Sequence, residues 1–351
     1  MATNADDCRA LPEGVPIDGV LAADAQGAVF AARVAEARGL PWHRSDGVRV
    51  ATDRLLSRGR LLAAGLPVPW FVGVRAHGDD DLERLTRVRF PCRVAPAAAW
   101  VGRPVRVASW DALMDAREQS GDRTTGVGDI LLVEAIAPGR GFELLGVLEQ
   151  GALRVFALLE AFDVAAPSAV ASTADVDAAI HVTPAPLKPA RQHVVAGHIA
   201  RAALTLGLHH GPIHAACRVD DDDIVVLDVW PVAGDGALAR AIPIVAPDGA
   251  RCGLEDVLVA HALGRQLDGY GHQGVARGVL TVAMPGDAEA PTRLATVGTI
   301  PGVTDACVAG STCVVHAEAA RPDDVVMTLR DAARHIGAAG HLVARQDEAG
   351  V

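Results

Sequence analysis

The stretches Ile213-His-Ala-Ala-Cys-Arg-Val219 and Ile224-Val-Val-Leu-Asp-Val-Trp230 flank the acidic turn Asp220-Asp-Asp-Asp223. Apolar and other residues alternate along much of both stretches, and successive side chains of a strand point to opposite faces. The pattern therefore predicts an antiparallel strand pair joined by a tight turn. One face of this predicted hairpin carries the side chains of His214, Ala216, Arg218, Asp228 and Trp230.

The chain upstream of the hairpin predicts alternating strands and helices. Gly19-Val-Leu-Ala-Ala23 reads as a strand, and Gln26 to Arg38 reads as a helix that ends at Gly39. A second helix, from Ala51 to Ala64, precedes a strand from Trp70 to Val74. These elements predict an α/β protein rather than an all-helical one.

The rest of the chain continues this mixed pattern. Asp129 to Glu134 predicts a buried strand, and a hairpin follows around Gln150-Gly151. The apolar spacing of Arg191 to Leu206 predicts a helix that ends at Gly207. A last lobe, residues 274–345, contains further strands and a helix.

Composition excludes several classes of protein. The formal charge is -11, which opposes binding to nucleic acid, because a phosphate backbone requires clustered cations. Apolar runs are too short for a membrane span, and the acidic N-terminus lacks the features of a secretory signal. The six cysteines contain no CxxC pair, so we expect reduced thiols and a cytoplasmic protein without nucleic-acid or membrane partners.

Several sequence blocks occur in an order that resembles the ATP-grasp superfamily, particularly the bacterial L-amino-acid ligases, which are carboxylate-amine ligases. These blocks are Thr52 to Pro69 with its Gly-x-Pro-x-Pro exit, Phe90 to Pro96, Leu131 to Phe142, Leu206 to His214, Val225 to Pro231 and Pro301 to Asp305. The resemblance extends from about residue 19 to residue 340.

The resemblance implies an α/β (α+β) architecture, the ATP-grasp fold, with a truncated Rossmann-like N-terminal lobe and a C-terminal α/β lobe. Residues 1–50 would form the truncated lobe, 51–245 the ATP-grasp core and 246–351 the C-terminal ligase-like lobe. The shortened first lobe would leave an incomplete sheet with an exposed edge, which suggests a homodimer or a catalytic partner protein.

The resemblance also implies that several catalytic side chains of the family are absent from this chain. Ligases of this family hold phosphate with cations and bridge it with magnesium bound by carboxylates. Where the family has its phosphate lysine, ribose glutamate, first metal glutamate, metal asparagine and phosphoryl arginine, this chain has Ala95, Gly141, Ala216, Trp230 and Val232. Asp228 remains as the single metal candidate, and one carboxylate cannot hold magnesium without help from substrate phosphates.

The adenine-binding hinge is better retained, so ATP binding is still expected. Glu134 and Ile136 fall on the hinge, and Glu143 is a candidate substitute for the ribose glutamate, although a solvated strand residue explains it equally well. Arg93, on the same strand face as Ala95, and Arg103 or Arg106 in the following loop are candidates to replace the lysine.

Three functions remain open. The first is a degenerate ligase that acts by binding a small molecule, such as an amino acid or another carboxylate, or a partner. The second is a working ATP-dependent ligase in which Arg93, Arg103 or Arg106 replaces the lysine, with Asp228 and Glu143 forming a distorted metal site. The third is an unrelated reaction in the cleft between the hinge strand and the hairpin, for which Asp228, His214 and Arg218 supply the polar groups. Across these hypotheses the catalytic candidates are Arg93, Arg218 and His214.

Overall fold

A computed structural model describes residues 16–77, 82–99, 104–122, 130–164, 178–221, 223–234, 236–272, 274–283, 290–310 and 312–337. The helices are α1 Ala25–Arg38, α2 Ser45–Ala51, α3 Arg54–Ala63, α4 Trp110–Asp122, α5 Pro189–Leu206, α6 Gly236–Arg240, α7 Leu254–Ala262, α8 Ala290–Val297 and α9 Pro322–Ile336. The longer strands are β1 Phe71–Arg75, β2 Cys92–Pro96, β3 Val105–Val107, β4 Ile130–Ala135, β5 Arg140–Glu149, β6 Ala152–Val164, β7 Ala178–Thr183, β8 Gly211–Asp220, β9 Asp223–Trp230, β13 Ala276–Ala283, β14 Val303–Ala309 and β15 Thr312–Ala319. The two-residue strands β10 Ile244–Val245, β11 Arg251–Cys252 and β12 Gly271–His272 form a small separate sheet.

The N-terminal segment differs from the prediction, because residues 16–50 contain helices α1 and α2 but no strand. The predicted strand Gly19–Ala23 is wrong: this stretch is irregular and lies against α7. A Cβ atom at Gly19 would stand 2.5 Å from the carbonyl oxygen of Ala262. No neighbouring strand in this segment offers it a hydrogen-bonded ladder, so its apolar residues pack without forming a sheet. The predicted exposed sheet edge is therefore absent from residues 16–50.

The smaller of the two main sheets has the order β1-β4-β2-β3, with antiparallel pairs throughout. One face packs on α4 through an apolar cluster that includes Val94, Leu113 and Val133. Helix α3 lies against the other face, where the Leu55 side chain would be 2.5 Å from a Cβ at Gly73. Gly73 thus permits the close approach of helix and sheet.

The larger sheet has eight strands in the order β14-β15-β13-β7-β6-β5-β8-β9. The predicted hairpins are confirmed as β5–β6 and β8–β9, and the first turns at Gln150 and Gly151, both with positive φ. Helix α5 packs on one face near β9, and α9 packs on the strands near the other end. The apolar clusters beneath these helices include Ile199, Leu206 and Ile213 for α5, and Leu280 and Leu329 for α9.

The C-terminal strands β13 to β15 continue this same sheet through the pairing of β13 with β7. The division of the chain at residues 50 and 245 stays a prediction. Among the residues described, no helix combines the length and the apolar character that crossing a bilayer requires.

Candidate functional site

The hairpin β8–β9 presents the predicted side chains on one face. Ala216 lies directly opposite Asp228, and His214 lies directly opposite Trp230. The His214 and Trp230 rings pack together with their centroids 4.8 Å apart. Where the resemblance implies a pair of metal carboxylates, the structure therefore has one carboxylate facing a methyl group.

Arg58 of α3 bridges the hinge strand β4 and the hairpin β8–β9, between which the resemblance implies a ligand-binding cleft. Its Nε atom lies 2.9 Å from Glu134 of β4, and its Nη1 atom lies 3.5 Å from Asp228 of β9. The same guanidinium donates to the carbonyl oxygen of Leu227. Burial alone would lower the pKa of Arg58, but the carboxylates of Asp228 and Glu134 raise it, so the side chain is charged. The fully buried guanidinium thus fixes the position of both acidic candidates.

Arg54, one helical turn earlier, anchors the same helix to the loop after β2. Its Nη1 atom donates to the carbonyl oxygen of Pro96 at 2.9 Å, and its Nη2 atom donates to that of Ala99 at 3.2 Å. The backbone N–H of Arg54 also bonds to the Ala97 carbonyl at 2.7 Å. Because this arginine is 4% exposed and holds backbone groups, its role here is to position the loop.

Glu143 of β5 lies between His214 of the adjacent strand β8 and His181 of β7, the second strand on its other side. Its carboxylate oxygens are 2.9 Å from Nε2 of His214 and 3.2 Å from Nε2 of His181. Burial would raise the pKa of Glu143, but the two imidazoles hold it well below its ordinary value. The carboxylate that the sequence offered as a ribose ligand is thus an anion already hydrogen-bonded to protein.

Strand β2 carries the positions at which the resemblance implies phosphate binding. Ala95 is 4% exposed and lies opposite Leu132, so no cation stands at this position. Arg93 lies opposite Glu134 on β4 and opposite Arg106 on β3, and it is half-buried. The Arg93 side chain makes no hydrogen bond or ion pair with the described residues, which leaves its guanidinium available to a ligand. Arg103 lies outside the described residues.

The remaining candidates lie toward the edges of the cleft. Arg218 donates to the carbonyl oxygen of Gly139 at 3.3 Å, at the turn that precedes β5. A Cβ at Gly141 would lie 2.9 Å from the Ala161 carbonyl oxygen, so a ribose glutamate at this position would be crowded. Ile136 is half-buried and follows the end of β4, where the hinge strand leaves the sheet.

Sequence reasoning missed two side chains of this site, Arg58 and His181. The sequence did contain a signal for Arg58, because it follows Arg54 by one helical turn and lies on the same face of the predicted helix. His181 had none, since β7 and β5 are separated in the sheet by β6 and their proximity depends on the whole topology.

Comparison with solved structures places this geometry in a known fold. The L-amino acid ligase from Bacillus licheniformis superposes with a TM-score of 0.70 at 18% identity, covering 94% of this chain and 82% of that one. The ADP complex of PurK, an N5-carboxyaminoimidazole ribonucleotide synthetase, has a TM-score of 0.65 at 14% identity, covering 96% and 85%. Carboxyaminoimidazole ribonucleotide synthase from Aspergillus clavatus, complexed with ATP, has a TM-score of 0.65 at 11% identity, covering 88% and 79%.

These structures are ATP-grasp carboxylate-amine ligases, and the chain has the ATP-grasp fold. The fold class predicted from the sequence is therefore confirmed. No protein-family model matches the sequence, and a search of curated proteins finds no match.

Proposed function

We propose that this chain is a small-molecule-binding protein built on the ATP-grasp fold, which no longer ligates with magnesium-ATP. The observation that carries the proposal is the pairing on the hairpin face, where Ala216 faces Asp228 and Trp230 packs on His214. One carboxylate, itself 3.5 Å from Arg58, is too weak a ligand to strip water from magnesium.

The cleft retains groups suited to binding a nucleotide or a small carboxylate. The hinge strand β4 is intact, and recognition of adenine requires little beyond the backbone that follows it. Arg93 offers a half-buried guanidinium, which pairs well with carboxylate or phosphate oxygens. The L-amino acid ligase that shares this fold acts, by its name, on amino acids. That likeness supports a small carboxylate as the ligand class.

Titration calorimetry with ATP, with and without magnesium, tests the loss of turnover. We expect any ATP binding to be unchanged by magnesium, and no ADP to form when amino acids are added. Magnesium-dependent binding, together with ADP release only in the presence of amino acids, would contradict the proposal. In that case the Arg93→Ala variant should abolish turnover, whereas Arg89→Ala, an exposed neighbour, should leave it unchanged.

Restoring the missing ligands offers a second test. We expect the double variant Ala216→Glu, Trp230→Asn to gain Mn²⁺ binding, because positions 216 and 228 face each other with Cβ atoms about 5 Å apart, so two carboxylates could reach one ion. Electron paramagnetic resonance measures free and bound Mn²⁺ directly. The matched control Ala216→Gln, Trp230→Asn has the same shape without the charge and should not bind. Equal Mn²⁺ binding by the unmodified chain would show that the metal site was never lost.

A working ligase is the second candidate, and the unpaired guanidinium of Arg93 is the observation that favours it. The cytoplasmic location and the homodimer or catalytic partner stay predictions. The exposed sheet edge that suggested a partner is absent from residues 16–50, so assembly now lacks that support.

A further inference from the structure

A polar cavity of about 250 Å³ lies outside the cleft described above, at the end of β13, β15 and β14. Its charged and polar lining comes from four elements, α6, β13, β14 and β15. The side chains that matter are Arg240, Arg277, Thr304, His316 and Glu318. None of them belongs to the Arg58 or Glu143 groups of the cleft.

Small residues and an irregular strand create this cavity. Gly278 lies directly opposite Ala317 in the β13–β15 pair, and both line the cavity. The pairing of β14 with β15 shifts register between Val303 and Asp305, so Thr304 has no residue opposite it. Irregularities of this kind redirect a side chain and often occur beside binding sites. Thr304 is exposed and lines the cavity.

The charges in the cavity are incompletely matched. Arg277 directs both Nε and Nη2 at one oxygen of Glu318, Oε2, at 2.7 Å each. The other carboxylate oxygen, Oε1, has no hydrogen bond within the described residues. Arg240 donates from Nε to the Gly236 carbonyl at 3.2 Å, its Nη atoms have no hydrogen bond to the described residues, and its side chain is exposed. The cavity lining therefore contains two guanidinium groups and one carboxylate, and only Arg277 is paired with that carboxylate.

We propose that this cavity is a second ligand site, which binds a small carboxylate that also carries an amino or hydroxyl group. The proposal does not rest on the function of the cleft. The free Nη atoms of Arg240 can hold the ligand carboxylate in a bidentate pair. Oε1 of Glu318 accepts from the amino or hydroxyl group, and the Thr304 hydroxyl can donate or accept beside it.

Size supports the same class of ligand. Sites for drug-sized molecules usually have volumes of about 300 to 1,000 Å³, so this cavity suits something smaller, such as an amino acid or a hydroxy acid. His316, which is 7% exposed, is a buried part of the cavity lining.

Calorimetry on the full chain with L-alanine, L-lactate, propionate and inorganic phosphate tests the site. We expect L-alanine or L-lactate to bind saturably. Propionate, which has the same carbon skeleton without the donor, should bind about tenfold more weakly, as the loss of one hydrogen bond to a charged group predicts. Phosphate should bind no better than propionate.

Arg240→Gln should weaken binding of the preferred acid at least about tenfold, and the exposed Arg251→Gln should leave it unchanged. Glu318→Gln provides a second variant and should reduce the preference of the site for L-alanine or L-lactate over propionate. The proposal fails if neither acid binds saturably, or if propionate or phosphate binds equally well. It also fails if Asp228→Asn in the cleft, rather than Arg240→Gln, removes the binding.

Discussion

The Arg58→Met variant is expected to lose about 3 to 5 kcal/mol of its free energy of unfolding, the usual result of removing one partner from a buried ion pair. Arg58 is fully buried and contacts both Glu134 and Asp228, so its removal leaves two acidic side chains without their cation. The backbone carbonyl of Leu227 would lose its donor as well. Because these contacts span both sheets, the loss should weaken the packing of α3 against each of them.

Urea unfolding, followed by circular dichroism, measures this effect. Arg60→Met is the matched control, because Arg60 is exposed on the same helix and should change stability by no more than about 0.5 kcal/mol. If the urea midpoint of Arg58→Met equalled that of the Arg60→Met control, the buried guanidinium would make no net contribution to the free energy of unfolding. The double variant Arg58→Met, Glu134→Gln should recover part of the loss, since it removes one of the two stranded charges.

The second large effect is a loss of stability in mild acid, caused by two buried histidines. His43 is 1% exposed and His261 is 3% exposed, and burial lowers the pKa of each from 6.5 to about 4. The value for His43 includes smaller contributions: His209, His210 and His261 lower its pKa, whereas its bond to the Pro212 carbonyl raises it. His210 also lowers the pKa of His261, and Glu149 raises it.

The direction of this pH dependence of stability follows from proton binding. Between pH 6.5 and about 4 the unfolded chain binds a proton at each of these histidines and the folded chain does not, so stability falls as the pH falls through this window. At pH 5 the expected loss is about 2 kcal/mol for each histidine relative to neutral pH. Above pH 6.5 the contribution of both groups is constant.

Urea unfolding at a series of pH values from 7.5 to 4.5 tests this dependence. His43→Gln keeps a donor for the Pro212 carbonyl, which His43 contacts at 2.9 Å, and should remove about half of the slope. His193→Gln, at an exposed position, should leave the slope unchanged. A slope that His43→Gln does not alter would mean that His43 is not buried as a neutral ring.

Local patterns in the sequence were sufficient for much of the fold. The period-2 alternation around Asp220–Asp223 predicted the hairpin β8–β9 and the face shared by His214 and Asp228, which the strand register confirms. Helix α5 followed from its apolar spacing and its glycine stop. These features depend on neighbours within a few residues, which is why a sequence pattern can predict them.

The strand predicted at Gly19–Ala23 is wrong because strand formation depends on distant parts of the chain as well as on neighbouring residues. The apolar run is real, but a strand requires a partner to satisfy its backbone groups, and residues 16–50 provide none. Burial against α7 is a tertiary contact that the run itself does not specify.

The sequence by itself determined the position of most helices and strands and, through its resemblance to known ligases, the ATP-grasp fold class, because both depend on residue types at particular positions. That Ala95, Ala216 and Trp230 replace a phosphate lysine and metal ligands stays an inference from that resemblance. Only the tertiary structure decided which charges meet. Arg58 is 76 residues from Glu134 in the sequence, and its other partner, Asp228, belongs to a different sheet. Glu143 meets His181 only because β5, β6 and β7 are consecutive strands of one sheet. Electrostatic interactions act through space over a few ångströms, and distances in space between remote segments are set by the packing of the whole chain.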